Sequence, residues 1–176
     1  MKTINIFTDG SAINNGTPRA SGGFGIYMVE PNIRISMPYV VELATNQRCE
    51  LYAILRALEL VMVQILEKKT VDHVIIYSDS MYCINVCSKW IPSWKTKGWK
   101  TSEGKEVKNL WIVQQIDHLQ VLFYKLGVKV EYKFVGSHRE EPKDKKSEEY
   151  FRWRGNDVAD KLSKKGSIIY LKKFIL

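Results

Sequence analysis

The sequence predicts an α/β fold, a mixed sheet with helices packed against it. Three observations carry that prediction. Along the chain, strand and helix patterns follow the order β-β-β-α-β-α, then α-β-α. Val74-Ile75-Ile76-Tyr77 is an apolar run without alternation, the pattern of a central strand covered on both faces and parallel to a neighbour. The 176 residues are 45% hydrophobic and 26% charged, which suits one globular domain and excludes global disorder.

The first strand is predicted over residues 3–8 and ends in Thr8-Asp9-Gly10-Ser11. Turn residues Asn14 to Pro18 follow, then two strands over 23–29 and 33–42 joined by Glu30-Pro31-Asn32, an antiparallel meander. From Asn46 to Lys68, Leu51, Ile54, Leu55, Leu58, Val61, Met62 and Ile65 recur at helical spacing, with Thr45 or Asn46 as N-cap. Val74–Tyr77 ends in Ser78-Asp79-Ser80, and a helix runs from Ser80 to about Trp90. Residues 91–108 read as irregular, basic and Trp-rich, 109–126 as a helix and 129–135 as a strand. Residues 139–154, with six Lys/Arg and five Asp/Glu, read as a flexible mixed-charge insertion. The last helix is expected from Asn156 to Gly166, and the apolar tail at 168–171 as an extra edge strand or helix.

Charge and cysteine content narrow the function. Net charge is +8, from 27 Lys+Arg against 19 Asp+Glu, so a polyanionic partner is expected. Half of that charge lies in residues 89–108, where six lysines face two glutamates and Trp90, Trp94 and Trp99 are interleaved. Three cysteines give no disulfide framework and point to a reducing, intracellular location. No apolar run reaches the 18 residues of a membrane span.

The chemistry-bearing signal is acidic. Two strands end alike, in Thr8-Asp9 and Ser78-Asp79. If they lie parallel and adjacent, both aspartates emerge at the carboxyl edge of the sheet, where open α/β folds bind ligands. Glu50 shares a helical stripe with Ile54, Leu58 and Val61, and a carboxylate on a buried stripe needs a partner. Glu42 falls off that stripe and reads as solvated. Carboxylates gathered at one edge suit Mg²⁺ or Mn²⁺ better than Zn²⁺.

Thr8-Asp9-Gly10-Ser11, Thr45-Asn46-Gln47-Arg48-Cys49-Glu50-Leu51 and Ser78-Asp79-Ser80-Met81-Tyr82 resemble the first three catalytic motifs of type 1 ribonuclease H. Val135-Gly136-Ser137-His138 and Gly155-Asn156-Asp157-Val158-Ala159-Asp160 resemble the fourth, and 78–108 is most similar to the eukaryotic branch with its basic protrusion. The resemblance spans residues 3–166 and implies a five-stranded mixed sheet with helices on both faces. It also implies a catalytic domain over 1–166, with a tail of unassigned role over 167–176.

The implied activity is cleavage of the RNA strand of an RNA/DNA hybrid with two Mg²⁺ ions, Mn²⁺ being a possible substitute, to give 5′-phosphate and 3′-hydroxyl ends. Asp9, Glu50, Asp79 and Asp160 match the metal-binding carboxylates. The family pattern Gly-Asn-x-x-Ala-Asp selects Asp160 over Asp157. His138 matches a mobile histidine that assists proton transfer or product release. Asn15, Asn46 and Gln47, with Met81 nearby, match the minor-groove contacts. Tyr82 and Trp90 match the DNA-strand channel, and Thr45 and Asn109 part of a DNA-phosphate pocket. Leu43 departs from the pattern, standing where eukaryotic members carry arginine. Trp94, Lys95, Lys97, Trp99 and Lys100 match the basic protrusion. A free-standing enzyme, expected to be a monomer, is the leading reading, because the basic protrusion is intact and the sequence opens on Met1; a first strand at residue 3 is expected to leave no room for an N-terminal hybrid-binding domain. The alternatives are an excised reverse-transcriptase ribonuclease H domain and a non-catalytic hybrid-binding module.

Overall fold

The computed structural model describes residues 2–67, 70–137 and 140–175. Five strands form one sheet: β1 (Thr3–Ile13), β2 (Ser21–Met28), β3 (Ile33–Tyr39), β4 (His73–Ser78) and β5 (Lys129–Phe134). Their order is β3-β2-β1-β4-β5. The β1/β2 and β2/β3 pairs are antiparallel, and the β1/β4 and β4/β5 pairs parallel. The central, parallel position predicted for Val74–Tyr77 is the one observed.

The helices are α1 (Asn46–Leu66), α2 (Met81–Asn85), α3 (Ile91–Thr96), α4 (Leu110–Lys125) and α5 (Glu148–Tyr170). A π-helical turn, Val86–Trp90, joins α2 to α3. Alternation along the strands sends Ile4, Ile6, Ile26, Val74 and Ile76 to one face, into the main core with α1 and α4. Phe7, Ile75 and Tyr77 point the other way, onto Phe151 and Ala159 of α5. The Phe7 and Tyr77 rings stack at 4.5 Å, a contact worth about 0.5–1.5 kcal/mol beyond the area it buries. Cys83 and Cys87 are packing residues in the main core. No helix among the described residues is long and apolar enough to cross a membrane.

Several boundaries differ from expectation. β1 continues five residues past Thr8, because β2 pairs with it through Ile13 and supplies the hydrogen bonds that turn-forming residues lack alone. β3 ends at Tyr39, which is buried, while Val40 and Val41 leave the sheet exposed. Ile91–Thr96 is helical rather than irregular, with proline in its first turn, where a missing N–H costs nothing. The insertion is not a loop throughout. α5 starts at Glu148, eight residues before the predicted Asn156, with Ser147 as cap accepting from the Tyr150 amide at 3.0 Å. The charges that read as a solvated loop are helix-start chemistry: Glu148 and Glu149 sit at the positive end of the helix dipole, and Glu148 pairs with Arg152 one turn on. α5 then runs through residue 166 to Tyr170, so the apolar tail is helical, ending in a π turn at Leu171–Ile175.

Candidate active site

The parallel register sets the site. Phe7 lies opposite Tyr77, so Asp9 and Asp79, each two residues further on, leave the same edge of the sheet side by side. Glu50 arrives from α1, which starts beside β1. Thr45 caps that helix through the Arg48 amide at 3.2 Å, and the Asn46 side chain accepts from the Ala12 amide at 2.8 Å. Gly10 permits the approach: a Cβ there would lie 2.1 Å from the Glu50 amide nitrogen, so only glycine lets α1 pack backbone to backbone on β1. Asp9, Glu50 and Asp79 each bring a carboxylate oxygen within 4.8 Å of the others.

Burial and mutual repulsion both disfavour the charged form of these carboxyls. Burial, then the Asp79 charge, pushes Asp9 up to about 8. Burial, with Asp79 adding to it, pushes Glu50 up to about 7. At neutral pH such a group keeps protons or takes a cation, and an all-oxygen donor set fits a hard divalent ion. Ser163 of α5 donates to Asp9 Oδ2 at 2.8 Å, and the Asn156 amide donates to Asp79 Oδ2 at 3.4 Å. Cys83 Sγ lies 4.0 Å from Glu50 Oε2.

Asp160 stands outside that triad. Its charge raises the pKa of Asp9, but its Oδ2 is held by Lys164 at 2.7 Å. Asp157 is likewise paired, with Lys161. His138 lies outside the described residues.

A second cleft, lined by Asn15, Thr45, Asn46, Gln47, Arg48, Lys108 and Asn109, gathers five of the predicted substrate contacts. Arg48 organises it, bonding Asn109 Oδ1 at 3.0 Å and the Leu43 carbonyl at 2.7 Å. Glu42, expected to be solvated, instead lies 3.2 Å from Arg48 and accepts from Trp111 and Tyr39. Asn109 also donates to the Tyr82 hydroxyl at 3.4 Å. Tyr82, Trp90 and Trp94 form a chain of ring contacts 6.0 and 5.6 Å apart, leading from this cleft toward the basic segment. Met81 is half exposed at the start of α2. Trp94 and Trp99 pack partly against the core. Lys97 and Lys100 are exposed, whereas Lys95 is tied to Asp117 of α4 at 2.9 Å.

Sequence reasoning missed Ser163, Asn156 as a partner of Asp79, and Arg48, and it counted Lys108 among the lysines of the basic segment without placing it in this cleft. Arg48 and Asn156 sit inside the motifs and were open to notice. Ser163 has only its spacing of three from Asp160 as a signal, and Lys108 only its place beside Asn109.

The sequence profile of the RNase H family matches residues 1–168. Ribonuclease HI of Haemophilus ducreyi is 34% identical over 171 residues, covering 95% of this chain and 92% of that protein. Ribonuclease H1 of Rattus norvegicus is 29% identical over 94% of this chain, which spans about half the length of that relative (50%). Among solved structures, the PFV RNase H domain superposes with a TM-score of 0.68 at 24% identity, covering 94% of both chains, and shares the fold. Matched over nearly its whole length by the family profile, and sharing that fold, the chain belongs to the ribonuclease H family.

Proposed function

We propose that the chain, through a catalytic unit over residues 1–166, is an endoribonuclease that hydrolyses the RNA strand of RNA/DNA hybrids and leaves 5′-phosphate and 3′-hydroxyl ends. The observation that carries this reading is the meeting of Asp9, Glu50 and Asp79 within 4.8 Å at the carboxyl edge of the sheet. In this reading Asp9, Glu50, Asp79 and Asp160 hold two Mg²⁺ ions, or Mn²⁺ in their place. When bound there, such cations would supply positive charge at the scissile phosphate and lower the pKa of bound water.

The chain's own groups do the rest. Ser163 fixes the rotation of the Asp9 carboxylate, and Asn156 that of Asp79. Asp160, paired with Lys164 at 2.7 Å, would be the fourth carboxylate of the set. His138 carries a proton at the reacting phosphate, a role suited to a group that titrates near neutrality. Asn15, Asn46 and Gln47 read the 2′-hydroxyls of the RNA strand across the minor groove. Thr45, Asn109 and Tyr82 follow the DNA strand, and Arg48 and Lys108 bring the cationic charge that Leu43 does not. Trp90, Trp94, Trp99, Lys97 and Lys100 extend the grip along the backbone without reading sequence.

The test is incubation of the purified protein and Mg²⁺ with an end-labelled RNA/DNA hybrid, beside duplex DNA, duplex RNA and each single strand. Cutting confined to the RNA strand of the hybrid is expected. Tight hybrid binding with no cutting at any Mg²⁺ or Mn²⁺ concentration overturns the enzymatic reading in favour of a binding module.

A further inference from the structure

The insertion that the sequence presents as a charged loop builds one wall of a cleft that the reaction does not use. The cleft, about 340 Å³, lies between α5 and the sheet. Its sheet side carries Phe7 and Tyr27, and its helix side Tyr150 and Phe151. None of its lining residues belongs to the carboxylate triad or to the Asn15–Asn109 cleft. Phe7 precedes Asp9 by two residues, about 7 Å of strand, so the two sites are neighbours along β1 without merging.

The inner wall is fixed. Phe7 stacks on Tyr77 and meets Phe151 edge to face at 5.3 Å, so those rings cannot turn away independently. The outer wall is more open: Tyr150 is half-buried and lies against Trp153 at 5.7 Å. Charge at the rim has one sign. Lys145, Lys146 and Arg154 line the cleft, and no acidic residue does. Lys145 reaches Glu141 only at 3.9 Å, and neither Lys146 nor Arg154 has an ion pair among the described residues.

Aromatic faces beside unpaired cations select a flat ring joined to an anion. Inorganic phosphate would leave the apolar wall in water, and an uncharged ring would leave the cations unmatched. We propose that this cleft is a second nucleotide-binding site, with the base against Tyr150 and Phe151, beside Tyr27 whose ring lies under the Arg34 guanidinium at 5.2 Å, and the phosphate on Lys146 and Arg154. The chemistry is that of a free nucleotide or of an unpaired nucleotide at the end of a strand. Either occupant sits where it touches the strand that carries Asp9 and the turn of α5 before Asn156, the partner of Asp79.

The experiment is titration of the ¹⁵N-labelled full chain with AMP, ribose 5-phosphate and adenosine. Saturable shifts of the amides over residues 145–155 are expected with AMP, with binding at least about 10-fold weaker for the other two. The double variant Lys146→Ala/Arg154→Ala, changed only at exposed side chains, should weaken AMP about 10-fold and still cut a blunt hybrid at the native rate. Tyr150→Ala should weaken AMP and leave ribose 5-phosphate unchanged. A parallel arm compares a blunt hybrid with one carrying a three-nucleotide single-stranded extension. Tighter binding of the extended hybrid, lost in the double variant, identifies the occupant as a strand end. AMP binding without that difference identifies it as a free nucleotide. If neither AMP nor the extension responds to the loss of Lys146 and Arg154, the site does not exist.

Discussion

Asp9, Glu50 and Asp79 span 70 residues of sequence and meet within 4.8 Å, whereas the six lysines of residues 89–108 are neighbours in sequence and all exposed. The first group is made of like charges forced together. The second is made of like charges held apart, some already matched, as Lys95 is by Asp117 and Lys105 by Glu103. Chemistry at a phosphate needs oxygens at fixed spacing, which only a folded sheet edge can hold. Grip on a polyanion needs charge density, which a short basic segment provides with little precision. The acid site should therefore fail abruptly under small changes, and the basic segment gradually.

The sharpest break is expected from Asp9→Asn and Asp160→Asn. Each removes a proposed cation ligand and should lower hybrid cleavage by about 10³-fold or more, with hybrid affinity within a few-fold of native. Asp157→Asn should cut nearly normally. Single-turnover cleavage beside gel-shift binding separates the two effects, and the opposite result for Asp157 and Asp160 would mean that the fourth carboxylate is misassigned.

Gly10→Ala tests the spacing itself without touching a charge. Its methyl must displace the backbone of Cys49 and Glu50, an overpacking cost of about 1–3 kcal/mol or more. Cleavage should fall about 10- to 100-fold in the fraction that stays folded by circular dichroism. Native activity would show that the triad tolerates loose placement of Glu50.

For the basic segment, Lys97→Ala with Lys100→Ala should leave the cleavage rate at saturating hybrid near native. Hybrid affinity should weaken about 10-fold at low salt, and the slope of log K against log salt should flatten by about two. Lys95→Ala should flatten it less, because its ammonium already faces Asp117. A salt slope unchanged in the double variant would remove residues 89–108 from the interface.

The smallest effect expected is on stability. A carboxyl whose pKa is raised by folding favours the folded state below its unfolded value and loses that contribution as pH rises through the folded one. For Asp9 the window runs from 3.8 to about 8, and for Glu50 from 4.5 to about 7. The chelated protein should therefore lose stability between pH 5 and pH 8. Each 1 kcal/mol corresponds to roughly 2–4 °C in Tm for a chain of this size. Asp9→Asn should flatten that decline, and added Mg²⁺ should raise Tm more at pH 8 than at pH 5. If the Asp9→Asn variant kept the native pH slope in differential scanning calorimetry, the burial and repulsion assigned to Asp9 would be contradicted.

The same contrast governs what the sequence reveals. The triad was legible because strand ends and helix stripes are short-range patterns: Thr8-Asp9 and Ser78-Asp79 announce the sheet edge, and Thr45 announces the start of α1. The early start of α5 carried a local signal, Ser147 followed by Glu148 and Glu149, that the mixed charge of the segment masked; only the packing of Phe151 on Phe7, more than 140 residues away, was beyond local reading. Ser163 escaped for a related reason. A serine on a helix carries no local mark of the aspartate it will meet across the sheet. The extension of β1 to Ile13 was hidden by Gly10, whose turn-like appearance reflects a tight helix contact.

That serine also has a consequence for how the molecule comes into being. Growing from its amino end, the chain completes β1, α1 and β4 while α5 has yet to be made, and α5 is the element that packs across β1, β2 and β3. Until residue 163 emerges, Asp9 is without its hydroxyl partner, Asp160 does not exist, and three mutually repelling acids lie at an edge with one face of the sheet bare. Long-range closure of this kind carries a loop entropy that local contacts do not. On the proposed role of Asp160, a nascent chain of this protein would complete its cation site only when its last long helix docks.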